Sequence, residues 1–150
     1  EKGNCEETKK LLGRFYNIKG IVTRGNNLGE KLGFPTANLI PSPKLVIPKD
    51  GIYASIVEYN DKKYYAATSI GKRPTFEKNG QRIIETFILE FNKNIYHKKI
   101  NVHLVSKIRD EQKFNSQKEL IEKMNEDIKN IKLILDKKNL LWAIQQFLIT

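Results

Sequence analysis

One cysteine in 150 residues, Cys5, leaves no partner for a disulfide within the chain and no cysteine set for a zinc site. The two histidines, His97 and His103, have no partner four residues away and no neighbouring cysteine, so a structural metal site built on them is not expected. No hydrophobic run approaches the ~20 residues of a membrane span, and no signal-peptide pattern is present, which gives a cytoplasmic reading with no membrane partner. Neither GxxxxGK[ST] nor GxGxxG occurs, which excludes a P-loop and a dinucleotide fingerprint. Acidic residues are the scarcer charge, 17 Asp and Glu against 27 Lys and Arg, for a net charge of +10. The excess is nearly all lysine, spread from Lys2 to Lys138 in a chain also rich in Asn and Ile. That spread reads as compositional drift rather than a nucleic-acid face, and it is compatible with a phosphate-bearing small substrate.

What is present begins with length. A chain of 150 residues is the size of one domain and buries a core without staples. Four glycines, Gly20, Gly25, Gly29 and Gly33, then lead into Phe34-Pro35-Thr36-Ala37-Asn38. Glycine takes positive φ and lets backbone N–H groups approach a ligand, so this loop is a candidate anion site. Pro35 fixes its own φ and extends Phe34, which holds the Thr36 hydroxyl and the Asn38 amide in place at the loop's exit. Both are hard oxygen ligands suited to Mg²⁺ and phosphate. The plain alternative is a turn-rich hairpin with Asn and Gly at its bends.

Extended segments read at about 17–24, 35–40, 51–60, 63–70, 82–91 and 99–109. Asn60-Asp61, Asn79-Gly80 and Asn92 to Asn94 supply turns between them, which favours antiparallel pairing and a small closed barrel or sandwich. Asn4 with Glu7 has the form of a cap for a short N-terminal helix that Gly13 stops. After Arg109 the period changes: Ser116 with Glu119 forms a capping box, and Leu120, Met124, Ile128, Ile131 and Leu135 recur at helical steps. A further helix is expected over Asn139 to Ile149, carrying Trp142, either packed on the body or offering an apolar docking surface. The expected divisions are 1–16 as linker and short helix, 17–136 as barrel with its packed helix, and 137–150 as C-terminal helix.

Within 82–91, period-two alternation puts Glu85 in phase with Ile83, Phe87, Leu89 and Phe91. A carboxylate on such a face, if it points inward, loses hydration and acquires the properties of a general base. The alternative is a solvated carboxylate at the barrel mouth.

The glycine-rich run and its Pro-Thr-Ala-Asn exit resemble the nucleotide-binding signature of the riboflavin kinase family, in particular the kinase module of bacterial bifunctional FAD synthetases. Gly51-Ile52-Tyr53, Ile70 to Thr75, Ile84 to Phe87, Ile95-Tyr96 and Ile108 to Phe114 follow in the family's order, so the resemblance covers about Leu12 to Leu135. It implies a mainly β fold, a six-stranded antiparallel Greek-key barrel with flanking C-terminal helices. It also implies phosphorylation of riboflavin by ATP to give FMN and ADP, with Mg²⁺. Glu85 is then the catalytic base. Gly25, Gly29, Lys31, Gly33, Pro35, Thr36, Asn38 and Tyr96 hold the nucleotide, Thr36 and Asn38 bind the metal, and Asn38, Arg109, Glu111 and Phe114 face the flavin. Arg73 to Gly80 forms a flap over the substrates, or an ordinary hairpin tip. Such a module is usually fused to an N-terminal FMN adenylyltransferase, to which Glu1 to Tyr16 reads as the linker.

Four positions depart from the family pattern: Phe15 stands where Pro is usual, Glu30 where Arg is common, Ser69 where Asn is common, and His97 where Gly is usual. These touch loop conformation and nucleotide affinity rather than the reaction. Two other functions stay open on residues alone. One is a nucleic-acid-binding barrel using Tyr53, Tyr59, Tyr64 and Tyr65 as stacking rings, which leaves Glu85 without a role. The other is a module that binds flavin without turnover.

Overall fold

The structure is a computed structural model that describes residues 15–24, 32–72 and 82–149, with side chains described through residue 139. Six strands form its body: β1 (Tyr16–Thr23), β2 (Ala37–Pro41), β3 (Gly51–Tyr59), β4 (Lys62–Lys72), β5 (Arg82–Ile88) and β6 (Lys99–Arg109). They close into a barrel in the order β1-β2-β5-β4-β3-β6, and every neighbouring pair is antiparallel. Three consecutive strands, β3, β4 and β5, lie side by side, and β6 returns to lie beside β3. This is the Greek-key arrangement.

Local chemistry explains the turns. Asn60 and Asp61 both take positive φ, 50° and 61°, the backbone that a two-residue hairpin with right-handed strand twist demands. The expected turn at Asn92 to Asn94 does not join paired strands. β5 and β6 are not neighbours, and the segment between them crosses an end of the barrel, bending where Glu90 takes φ 53°. The hairpin turn expected at Asn79-Gly80 and the helix expected over Lys9 to Leu12 lie outside the described residues.

The interior is filled by Ile18, Val22, Leu39, Tyr53, Val57, Ile70, Ile84, Ile88, Val102 and Leu104, alternate residues of their strands. A second cluster forms outside the wall, where Ala54, Ile56 and Val105 meet Ile131 and Leu135 of the C-terminal helix, α1 (Gln117–Ile149). The capping box is present: the Glu119 N–H donates to Ser116 Oγ at 3.2 Å, and Glu119 Oε2 accepts from the Asn115 N–H at 3.1 Å. The two helices expected on either side of residues 137–138 are one unbroken helix, because nothing between Leu135 and Asn139 stops a helix: the segment Asp136-Lys137-Lys138 contains neither Gly nor Pro. Tyr65 on β4 secures it, donating its hydroxyl to Asp136 Oδ1 at 2.8 Å.

Candidate active site

The face of β5 runs opposite to an inward Glu85. Ile84, Thr86 and Ile88 point into the barrel and are buried, whereas Ile83, Glu85 and Phe87 lie on its outer wall. The expectation of an inward Glu85 counted Leu89 and Phe91 with its face, but the strand ends at Ile88 and the chain turns there. Without those two, the apolar residues no longer favour that side.

On the outer wall Glu85 stands in a row. It faces Asn38 of β2 on one side and Ser69 of β4 on the other, and Asn38 in turn faces Thr23 of β1. Residues directly opposite on antiparallel strands hold their Cβ atoms about 4.5–5.5 Å apart, so the amide and the carboxylate share one small surface. Asn38 is only 6% exposed although it points outward. Thr36, two residues before it and in phase with it, is half-buried at the start of the strand. Phe34 seals this edge, packing edge-on to Phe87 at 5.5 Å. Gly33 has φ +85°, a left-handed conformation that a side chain would strain, so this glycine shapes the loop's exit as expected. Pro35 is exposed beside it. Gly25, Gly29 and Lys31, and the flap from Arg73 to Gly80, lie outside the described residues.

Tyr96 reaches the same region from the far side of β1. The His97 N–H donates to Val22 O at 2.8 Å, which ties the 95–98 turn to the end of that strand, and the Arg24 guanidinium lies 5.2 Å from the centre of the Tyr96 ring. Tyr96 and Asn38 thus bracket the residues where the glycine loop departs. His97 takes φ 65°, a conformation that glycine adopts freely and that histidine adopts at a cost.

The other expected group gathers beyond β4. Glu111 lays its carboxylate over Gly71, where a Cβ would stand 2.0 Å from Oε1, and Ser69 Oγ is 3.4 Å from the same oxygen. Partial burial and then the nearby Asp50 carboxylate hold the Glu111 carboxyl above its ordinary value, against lowering by the Ser69 hydrogen bond and Arg109, while Glu85 adds the smallest upward push. Asp50 is itself gripped by Arg82, at 2.6 Å. Arg109 proves to be committed: Nε donates to both carboxylate oxygens of Asp127 at 3.0 Å, Nη2 donates to Oδ2 at 2.8 Å, and its guanidinium carbon lies 5.9 Å from the centre of the Phe114 ring. Sequence reasoning missed Asp127. Its signal was faint, an acidic residue on the apolar stripe of a helix, 4% exposed and four residues before Ile131.

The tyrosines that suggested a stacking platform are used in packing. Tyr53 is fully buried in the barrel and donates to Lys49 O at 2.6 Å, Tyr59 and Tyr64 pack edge-on to Phe91, and Tyr65 is bound to the helix. An open groove of about 610 Å³, lined by Lys19, Ile21, Ile40, Tyr59 and Lys99 among others, lies further along β1 and β2 and contains none of the expected site residues.

Hard oxygen donors beside a carboxylate, at the exit of a glycine-rich loop, are the components that phosphoryl transfer requires. The fold is a closed six-stranded antiparallel barrel, and this row on its wall is compatible with phosphoryl-transfer chemistry. The family model for riboflavin kinase matches residues 12–135, and the chain belongs to that family. It is 38% identical over 129 residues to the bifunctional riboflavin kinase/FMN adenylyltransferase of Bacillus subtilis, which covers 85% of this chain and 41% of the relative. The chain therefore spans less than half the length of such relatives. A solved protein from Streptococcus pneumoniae, described as a macrolide-efflux protein, matches with TM-score 0.82 and 36% identity over 87% of this chain and 43% of its own. Among the described residues here, no helix is long and apolar enough to cross a membrane. Riboflavin kinase from Trypanosoma brucei shares the fold, with TM-score 0.62 and 23% identity over 83% of this chain and 82% of its own.

Proposed function

We propose that this chain transfers the γ-phosphoryl group of ATP to the ribityl 5′-hydroxyl of riboflavin, giving FMN and ADP. Family membership and the pairing of Glu85 with Asn38 support this reading, and the pairing carries it. Glu85 accepts the proton of the 5′-hydroxyl as that oxygen bonds to the γ-phosphorus, and the bond from the γ-phosphorus to the bridging oxygen breaks to release ADP. Thr36 and Asn38 orient the phosphates, and Tyr96 covers the base. Arg109, already fixed by Asp127, holds Phe114 and Glu111 at the flavin's edge. Among the described residues no group of three His, Cys, Asp or Glu could hold a metal by itself. The Thr36 hydroxyl and Asn38 amide oxygen fit a Mg²⁺ ion shared with the nucleotide, which would supply neutralisation of phosphate charge.

We place the reaction in the cytoplasm, where a fold with one cysteine needs no oxidising compartment. We also read the chain as the kinase module of a longer protein carrying an FMN adenylyltransferase, because it spans 41% and 42% of two bifunctional relatives. The test of the reaction is Glu85→Gln, assayed for FMN by chromatography with riboflavin, ATP and Mg²⁺. Turnover should fall by about 10²–10⁴-fold, the usual worth of general-base catalysis, while riboflavin and ATP still bind. A Gln variant with near wild-type turnover would remove Glu85 from the chemistry.

A further inference from the structure

Behind the outer row of Thr23, Asn38, Glu85 and Ser69 runs an inner one, formed by the residues next to them in sequence. Ala37 faces Thr86, and Thr86 faces Thr68. The hydroxyls are joined: Thr86 Oγ1 lies 2.9 Å from Thr68 Oγ1, Thr68 Oγ1 lies 2.7 Å from Ser55 Oγ, and Ser55 Oγ donates to Ala66 O at 3.0 Å. All three side chains are fully buried. Each hydroxyl carries one hydrogen, so the chain has a direction. Ser55 gives its proton to the carbonyl, accepts from Thr68, and Thr68 accepts from Thr86.

A barrel interior of Ile, Leu and Val discriminates poorly between one register and another two residues along, since Ile84 and Ile88 present alike apolar surfaces. A buried hydroxyl does discriminate, because away from its partner it stays unsatisfied in a medium that penalises this heavily. The discrimination matters most on β5, whose seam with β2 has only three registered pairs, Ala37–Thr86, Asn38–Glu85 and Leu39–Ile84. A slip of one residue would turn Glu85 into the barrel, and a slip of two would carry it past Asn38. Thr86 is the immediate neighbour of Glu85 and ends the hydroxyl chain.

We propose that Thr86 is a positioning residue for the reaction: its hydroxyl, donating into Thr68 and Ser55, fixes where Glu85 stands against Asn38. This rests on the reading of Glu85 as the base. The role is distinct from packing, since the methyl of Thr86 fills space while the hydroxyl sets position, and two variants separate them.

Thr86→Val keeps the volume and removes the hydroxyl, whereas Thr86→Ser keeps the hydroxyl and removes the methyl. Thr86→Val should lower kcat by roughly 10–100-fold, the scale of a sub-ångström to 1 Å misplacement of a reacting group, with KM for ATP and riboflavin within about twofold of wild type. Thr86→Ser should keep kcat close to wild type although its missing methyl lowers Tm. Wild-type kcat in Thr86→Val, or a Thr86→Ser variant as slow as Thr86→Val, would overturn the proposal. If Thr86→Val does not fold, Ser55→Ala carries the test, because it breaks the chain's far end without touching β5; a lower kcat at unchanged KM supports the proposal and an unchanged kcat overturns it. The double variant Glu85→Gln/Thr86→Val should be no slower than Glu85→Gln alone. A further loss in the double variant overturns the positioning role and leaves Glu85 as base, whereas full turnover in Glu85→Gln alone defeats the reading of Glu85 itself.

Discussion

Replacing Asp127 by Ala tests whether the ion pair between α1 and β6 holds the proposed flavin edge in shape. Asp127 is 4% exposed and the Arg109 side chain 16% exposed, so neither charge is well solvated. The carboxylate takes three hydrogen bonds from one guanidinium, so its removal strands a nearly buried cation. Breaking a buried pair by deleting one partner costs about 3–5 kcal/mol. The residual exposure of Arg109 points to the lower end, about 3 kcal/mol. A domain of this size loses roughly 2–4 °C of Tm for each kcal/mol, so the melt should move down by about 6–12 °C. Calorimetry reads that shift. Kinetics read its consequence: KM for riboflavin should rise more than KM for ATP, because Arg109 fixes Phe114 and the chain around Glu111, while Asn38 lies on β2 and Thr36 just before it. Pairing Asp127→Leu with Arg109→Met should recover most of the lost stability, as apolar replacement of buried pairs often does, without recovering riboflavin KM. A fall in Tm under about 2 °C in Asp127→Ala, or equal rises in both KM values, would refute the reasoning.

Gly71→Ala places a Cβ 2.0 Å from Glu111 Oε1, the end of a flexible side chain, so the variant should melt close to wild type while riboflavin binding weakens as Glu111 is pushed off β4; isothermal titration with riboflavin checks this, and unchanged affinity would show that Glu111 does not face the flavin. Glu111 binds its proton more tightly in the folded chain than at its unfolded value of 4.5. Its contribution to stability is therefore fully present below that value and is lost as pH rises through the higher folded value. Glu111→Gln should remove this descending component from the stability profile just above pH 4.5, measured by urea unfolding across pH, and an unaltered slope would contradict it. His97→Gly should keep or raise Tm, since it relieves a left-handed histidine at the expense of unfolded-state freedom, and a drop of more than about 1 kcal/mol in stability would mean that the histidine ring is needed where it stands.

The strands, the turn at Asn60-Asp61, the cap at Ser116 and Glu119 and the Thr36–Asn38 segment were all legible in the residues, because each depends on neighbours within a few positions. Alternation, backbone sign and a capping hydroxyl are local physics. The family's motifs carried the closed barrel and the family itself. Closure decided the rest. Period two establishes that Glu85 and Thr86 point opposite ways, but which one enters the barrel depends on the strands that surround β5 and on where it ends, and the ring β2-β5-β4 puts Thr86 inside and Glu85 out. Arg109 and Asp127 are 18 residues apart, and Ser55 and Thr86 lie on strands separated by a third, so no short window of sequence contains either connection. Such contacts exist only once the chain has closed, since a buried charge or hydroxyl selects its partner by what folding brings within 3 Å and by the penalty for finding none.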